Sequence, residues 1–226
     1  MAKRRPRDEA RRAREDVYRQ HILGAAERVF AERGFEIAKV QDIAGRAALS
    51  MGTIYSVFPG KTELYAALLE VRGQELLRLA RELAARELPP REALFGLIDI
   101  YVGYFVEHPD FLRTHLRSGV SWALGPALGG ATQVGTWQEI HTLQADVFRR
   151  GVADGAFVDE DPDFLAKTFS VMDQVLLADW VTHGMREPRE ALVRRLRDLV
   201  ERAFVRPAAR PARARAATRN TPSPTA

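Results

Sequence analysis

From Ile22 the apolar positions recur as Ile22, Ala25, Ala26, Val29 and Phe30, the i, i+3, i+4, i+7, i+8 row of a helix with one buried face. The row predicts a helix over about 10–33, and Gly34 suits the position just past its end. Val40, Ile43, Ala44 and Ala47 predict a short second helix over 40–47. Ser50 is a good N-cap for a third over 51–57. Pro59-Gly60 then breaks the chain, and a long fourth helix runs from Lys61 to about Arg86, stopped by Pro89-Pro90. Five more are expected at 91–107, 110–118, 134–153, 162–184 and 188–205, punctuated by Pro109, Gly151, Asp161-Pro162, Glu187-Pro188 and Pro207. Sustained period-two alternation and Asn-Gly or Asp-Gly hairpin signals are missing from the sequence. The expected class is therefore all-α, with about nine helices and no internal repeat.

The stretch LSMGTIYSVFPGKTELYAAL, residues 49–68, departs from what packing alone asks of a helix. Leu49, Ile54, Val57 and Phe58 form the inward side. Met51, Gly52, Thr53, Tyr55 and Ser56 cover the rest, a side almost free of charge and small at Gly52 and Ser56. A helix entering a DNA major groove needs close backbone approach, hydroxyls and few acids. The N-terminus of the next helix adds Lys61 and free backbone N–H groups, a ready phosphate site. Three short helices joined by tight turns have the layout of a helix-turn-helix unit.

The segment GFEIAKVQDIAGRAALSMGTIYSVFPGKTELYAALL resembles the N-terminal DNA-binding domain of the tetracycline-repressor (TetR) family. The matched elements are Gly34-Phe35, Val40, Asp42-Ile43-Ala44, Ala47, Leu49-Ser50, Gly52-Thr53-Ile54-Tyr55, Phe58-Pro59, Lys61 and Glu63-Leu64. The resemblance covers about 18–70 closely and the remainder in outline. It implies a homodimer on a palindromic double-stranded operator, with the third helix as reader. Gly52, Thr53, Tyr55 and Ser56 then fall at DNA-contacting positions, Tyr55 and Lys61 at phosphate-contacting ones. Gln41 can reach a base edge, where its amide suits adenine. Lys39 stands where the family commonly caps the second helix with Ser or Thr, exchanging a cap for a phosphate-reaching charge. Met51 stands where a long polar residue is frequent, exchanging a polar contact for an apolar one.

Charge changes this picture. The chain of 226 residues is +4 overall, yet residues 1–14 carry seven basic and two acidic side chains, and 206–226 five Arg and no acid. The intervening body holds 22 basic and 28 acidic residues, and 15–65 alone six and seven. A helix-turn-helix unit of net −1 is a poor polyanion binder on charge alone. The expectation is that 1–14 forms a basic flexible arm that makes up the deficit along the backbone or minor groove. Residues 206–226, rich in Pro, Ala and Arg, are expected to be a disordered tail. The domains are then 15–65 for DNA and 66–205 for ligand binding and dimerisation.

The second domain is implied by the resemblance and supported by its stripes. Leu165, Phe169, Met172, Leu176 and Trp180 line one late helix, and Leu192, Leu196, Leu199, Val200 and Ala203 the last. In the family these two helices commonly pair with the partner's as a four-helix bundle, so Leu176, Trp180, Leu192, Leu196, Leu199 and Ala203 are candidate dimer residues. Residues 118–138 carry no charge, five Gly and two Trp, and are read as an adaptable portal over a pocket. Phe95, Ile98, Tyr101, Trp122, Trp137, His141, Phe169 and Met172 are its expected lining, for a small apolar or aromatic effector.

Composition narrows the alternatives. The absence of Cys excludes disulfides, thiolate metal sites and Cys nucleophiles, and fits a reducing cytoplasm. The apolar runs are too short for a membrane span, and the basic start has no apolar segment behind it to make a secretory signal. His108, Asp110 and His115 are split by Pro109, and Asp179 with His183 falls short of a metal site. With no phosphate loop, nucleophile elbow or HExxH, no enzyme, metal or cofactor is expected. The expected function is a ligand-released repressor; the alternative is a helical DNA-binding regulator controlled by a protein partner or by no ligand.

Overall fold

Glycine, proline and short polar caps set the helix ends in the computed structural model. It describes residues 6–119 and 131–206, with side chains over 15–119 and 135–206. Nine helices run through the described residues: α1 (Pro6–Ile37), α2 (Val40–Ala47), α3 (Met51–Val57), α4 (Lys61–Ala84), α5 (Pro90–Glu107), α6 (Pro109–Arg117), α7 (Ala131–Ala153), α8 (Pro162–Thr182) and α9 (Arg189–Phe204). The helical geometry of α1 breaks at Gly34, where φ is 75° and ψ 164°, a conformation that favours glycine. Ser50 Oγ accepts the Thr53 N–H at 3.1 Å to start α3, and Asp161 Oδ1 accepts Phe164 N–H at 2.8 Å to start α8. Proline at N1 opens α5, α6 and α8. The pattern of apolar positions thus located every helix. The main difference lies at the start: α1 begins at Pro6 rather than about residue 10, so it takes in residues 6–14 of the stretch expected as an arm. All of the basic tail after Arg206, and Trp122 of the expected portal, lie outside the described residues.

Two apolar cores are joined by one helix. Ile22, Ala26, Val29 and Phe30 of α1, Ile43 of α2 and Ile54 of α3 close on Leu64 and Leu68 of α4. Farther along α4, Leu76, Leu77 and Leu83 enter the second core with Leu97, Phe105, Phe148, Phe169 and Leu196. The first core reaches Val71, which packs against it, so the division falls farther along α4 than 65/66, which itself lies inside that helix.

At that division sits Arg72. Its Nε and Nη2 donate to Glu27 Oε2 of α1 at 2.9 and 2.7 Å, and its Nη1 to Glu75 Oε2 at 2.9 Å. Glu75 Oε2 also accepts the Tyr104 hydroxyl of α5 at 2.7 Å. Burial alone would push Arg72 down, but the Glu27 charge and the bonds from both carboxylates hold it above its ordinary range. The same bonds keep Glu75 below the usual carboxylate value against its own burial. A second strut joins the domains where Thr114 Oγ1 of α6 donates to Glu27 O at 3.4 Å, α1 lying along α6. Among the described residues no helix is long and apolar enough to cross a membrane.

The turn between α2 and α3 bends through Ala48, at φ 51°, ψ 39°. An L-residue with a Cβ pays about 1–2 kcal/mol in that region. Ala48→Gly is expected to raise stability by up to about 1 kcal/mol, read as a higher urea midpoint at unchanged slope.

Candidate functional site

Two regions gather the chemistry: the outer side of α2–α3 and a small cavity in the second core. On the first, α2 is held by Asp42, whose Oδ2 accepts Lys39 N–H at 3.1 Å and pairs with Arg33 at 2.9 Å. The missing Ser or Thr cap is thus replaced from three residues on, and the Lys39 side chain stays exposed. His21 Nε2 meets Ala47 O at 2.8 Å, tying the end of α2 to α1.

On α3, Ile54 and Phe58 are buried, as the pattern requires. Gln41, Gly52, Tyr55 and Ser56 are exposed together, Tyr55 by 50%. Ser50 Oγ and Thr53 Oγ1 share a hydrogen bond of 2.8 Å, and Ser56 Oγ donates to Thr53 O at 2.8 Å. Each hydroxyl keeps accepting capacity outward. Met51 is half-buried against the first core, which makes it a packing residue. A Cβ added at Gly52 would meet only Ser50 Oγ, at 3.7 Å. Neither backbone angle nor internal space calls for glycine there.

Lys61 differs from expectation. Its ammonium donates to Phe35 O at 2.6 Å and Glu36 O at 3.1 Å, and lies 4.4 Å from the Phe35 ring centroid. It caps the end of α1, so its ammonium is engaged within the protein. Other cations of this unit are also engaged: Arg46 with Glu32 at 2.8 Å, Arg33 with Asp42, and Arg19 over the Phe58 ring at 4.7 Å.

The cavity, of about 30 Å³, lies between α4, α5, α7 and α8. Leu76, Tyr101, Phe105, Trp137 and Ile140 give its apolar wall. His141, Gln144, Ser170 and Asp173 give its polar one. Three expected residues, Tyr101, Trp137 and His141, therefore line it. Phe169 stands behind the Tyr101 ring at 6.2 Å, Ile98 is core, and Met172 packs on that core. Phe95 is elsewhere, between the guanidiniums of Arg91 and Arg197 at 5.2 and 5.3 Å in an open groove of about 500 Å³ between α5 and α9. Ion pairs Arg197–Asp99 and Arg91–Glu201 cross that groove, which suits solvent better than an apolar ligand.

The polar wall is the part that sequence reasoning missed. Ser170 and Asp173 stand i, i+3 on the otherwise apolar face of α8, and that interruption was the available signal. Ser170 Oγ donates to Gln144 Oε1 at 3.1 Å. Asp173, 2% exposed, has no partner for Oδ1, and the buried Tyr101 hydroxyl has none either. Gln144 acts on that hydroxyl without meeting it in a well-formed hydrogen bond. Burial lifts the Asp173 carboxyl to about 8, and burial, with the nearby Asp173 charge, raises Tyr101. Burial also lowers His115 to about 4; its ring lies tilted against Trp137, centroids 5.4 Å apart. His141 is lowered by burial although Asp163 lies 3.6 Å away.

The expected dimer residues need correction. Leu176, Trp180, Leu192 and Leu196 are buried in their own subunit, where the stripes of α8 and α9 serve the core; Trp180 Nε1 donates to Glu187 O at 2.9 Å. Leu199 and Ala203 remain exposed. On α8 the large apolar side chains left open are instead Phe164, Val171 and Val175, at 58, 40 and 62%, a row at i, i+7, i+11 on its outer face. Among the described residues no cluster of His, Asp and Glu could hold a metal ion.

Residues 22–68 match the family model described as bacterial regulatory proteins, tetR family. FasR of Mycolicibacterium smegmatis, described as an HTH-type transcriptional activator, is 32% identical over 93 residues, 41% of this chain and 42% of its own. SCO4008 of Streptomyces coelicolor, described as an HTH-type transcriptional repressor, is 28% identical over 196 residues, 81% of this chain and 96% of its own. The match spans less than half the length of FasR and of several other curated relatives. Among solved structures, the FadR regulator of Bacillus subtilis in complex with stearoyl-CoA superposes with a TM-score of 0.65 at 18% identity, over 80% of this chain and 96% of that one. That likeness is one of fold.

Gly52→Ala tests the outer face of α3. It is expected to keep or raise the melting temperature, since alanine favours helix by about 1 kcal/mol, while weakening DNA binding at least about tenfold, about 1.4 kcal/mol, in a fluorescence-anisotropy titration. Asp173 tests the cavity. Its folded pKa is raised, so stability is undiminished below pH about 4, where the unfolded carboxyl is protonated too, and is lost as pH rises from there toward about 8. Asp173→Asn is expected to raise the melting temperature at pH 8 and much less at pH 4.5.

Proposed function

We propose that this chain, a TetR-family protein in its N-terminal domain and its fold, is a homodimeric transcriptional repressor released from a palindromic operator by a small molecule. The observation that carries the reading is the open, charge-free face of α3, with a glycine that the protein itself does not need. Gly52 lets the α3 backbone approach base edges, and Thr53, Tyr55 and Ser56 offer hydroxyls to phosphates and bases. Gln41 at the start of α2 reaches toward the same groove. Phosphate charge is met by Lys39 and by the basic residues between Lys3 and Arg14, rather than by Lys61. The reading as a binding protein rather than an enzyme is supported by its likeness to proteins described as transcriptional regulators.

Two copies associate through the outer row of α8, with Leu199 and Ala203 of α9 beside it. A two-fold axis there makes the patch self-complementary and sets the α3 helices about 34–36 Å apart, one turn of DNA. Ligand control follows from where the cavity stands. Its Trp137 ring packs on α4 at Gly73, where an added Cβ would lie 3.2 Å from Thr136 Cγ2 and 3.9 Å from the indole. Gln74 Nε2 donates to Thr136 Oγ1 at 2.9 Å, and Arg81 pairs with Glu139 at 2.6 Å, further fixing α4 on α7. A ligand that fills and widens the cavity displaces Trp137 and Leu76, tilts α4, and carries α1 with it through Arg72 and Glu27. The α3 spacing then leaves register with the grooves. The coupling is reciprocal: operator weakens ligand binding by the factor by which ligand weakens operator binding.

Selection of the purified protein against a random duplex library at fixed salt is the test. A palindrome with half-sites about one helical turn apart, bound as a dimer, is the expected result; a library without enrichment in the ligand-free state would remove the repressor reading. Val175→Glu is expected to shift the protein to monomer in analytical ultracentrifugation and to lower operator affinity at least about tenfold, about 1.4 kcal/mol, with the melting curve of the monomer still cooperative.

A further inference from the structure

The cavity carries more information than its place in the fold. Its Asp173 carboxyl is 2% exposed with Oδ1 unpartnered, and the Tyr101 hydroxyl nearby, 3% exposed, is likewise unpartnered. Buried polar atoms are normally satisfied, and an exception asks for a cause. Water is one candidate, but a hollow of about 30 Å³ admits only a molecule or two. The residues lining it, among those described, include neither Lys nor Arg. His141 is the one basic side chain in that described lining, and burial lowers it, so a bound cation is the countercharge that this wall leaves open to a carboxylate. Trp137, Tyr101 and Phe105 enclose the same space, and aromatic faces are negative, so they attract cations and repel anions.

We infer that the cavity recognises a lipophilic amine, its ammonium paired with Asp173 and hydrogen-bonded by Tyr101, its apolar body held against Trp137 and Phe105. The inference rests on the reading of the second domain as ligand-binding and names the class of ligand. An ammonium has donors for Asp173 Oδ1 and for the Tyr101 oxygen, so one head group satisfies both orphan atoms. It also removes the reason for the carboxyl to stay neutral: on binding, Asp173 releases its proton to solvent and the cation takes its place. A carboxylate, phosphate or sulfate head would find neither Lys nor Arg in the described lining, and would meet the negative aromatic faces and a carboxyl that it could only keep protonated. That disfavours anionic heads in this cavity relative to an amine. The present hollow fits no such ligand without widening, and widening is what moves Trp137 against α4.

Three probes of one skeleton separate the head groups: 4-phenylbutylamine, 4-phenylbutanol and 4-phenylbutyrate, each titrated into the full chain at pH 7.5 by Trp fluorescence and by thermal shift. The amine is expected to bind at least about tenfold tighter than the alcohol, about 1.4 kcal/mol, and the butyrate weakest. In Asp173→Asn, which the burial of the carboxyl predicts to fold well, the amine should fall to the level of the alcohol, the alcohol itself being little changed. Tyr101→Phe should weaken the amine by a smaller factor. Equal or tighter binding of butyrate or of stearoyl-CoA, an amine affinity untouched in Asp173→Asn, or no amine binding up to about 1 mM, about −4 kcal/mol, would each overturn the inference. These readouts use no DNA. Amine preference without any operator would leave the ligand class standing and remove the repressor; an operator without amine preference would do the reverse.

Discussion

Sharing α4 between two cores is the constraint on which the rest depends. Leu64 and Leu68 belong to the helix-turn-helix core, Leu76, Leu77 and Leu83 to the larger one, and the helix between them is unbroken. A helix is stiff over this length, so neither core can move without taking the other end of α4 along. Arg72 sits at the crossing, where it ties α4 to α1 through Glu27 and reaches α5 through Glu75 and Tyr104. Removing one member of such a largely buried pair typically costs about 3–5 kcal/mol, because the other is left charged and desolvated. The two units are therefore mechanically one lever rather than beads on a linker.

The sequence made the fold legible because helices announce themselves by period and punctuation. Gly34, Ser50, Pro59-Gly60, Asp161-Pro162 and Glu187-Pro188 stop or start the chain by local chemistry that needs no partner, and all nine helices fall where those signals put them, within a few residues. The exposed face of α3 was legible for the same reason. What tertiary contacts decide was not. Lys61 has the sequence environment of a phosphate binder, but two carbonyls at the broken end of α1 claim its ammonium. Leu176, Trp180, Leu192 and Leu196 have the spacing of an interface, but a single helix stripe cannot say whether its cover is the same subunit or another. Phe164, Val171 and Val175 stand outside that stripe, on a face that Lys167, Thr168 and Gln174 make read as solvated.

The cavity follows a similar logic. Its aromatic wall was foreseen in part, since Tyr101, Trp137 and His141 are large residues on inward faces. Its polar wall was missed because Asp173 reads as one acid among many in a helix that also carries Asp163 and Asp179. Only burial distinguishes it. An acid kept in an apolar core without a counterion reduces stability at neutral pH, and local rules of this kind are broken chiefly where binding repays the loss.

The way the helix-turn-helix unit engages its own cations has one more consequence. Arg33 and Arg46 are bound to acids, Arg19 to a ring, and Lys61 to carbonyls. A face so arranged neutralises few phosphates and so sets free few of the ions condensed on DNA, whose release gives protein–DNA affinity its steep dependence on salt. On the proposed reading, recognition through α3 would then be governed by fit and hydrogen bonding, and its affinity would decline gently as salt rises. Most of the ionic-strength response, and most of the attraction to DNA of any sequence, would fall to the basic residues at the start of the chain. Searching along DNA and recognising a site would in this way be assigned to different parts of one polypeptide.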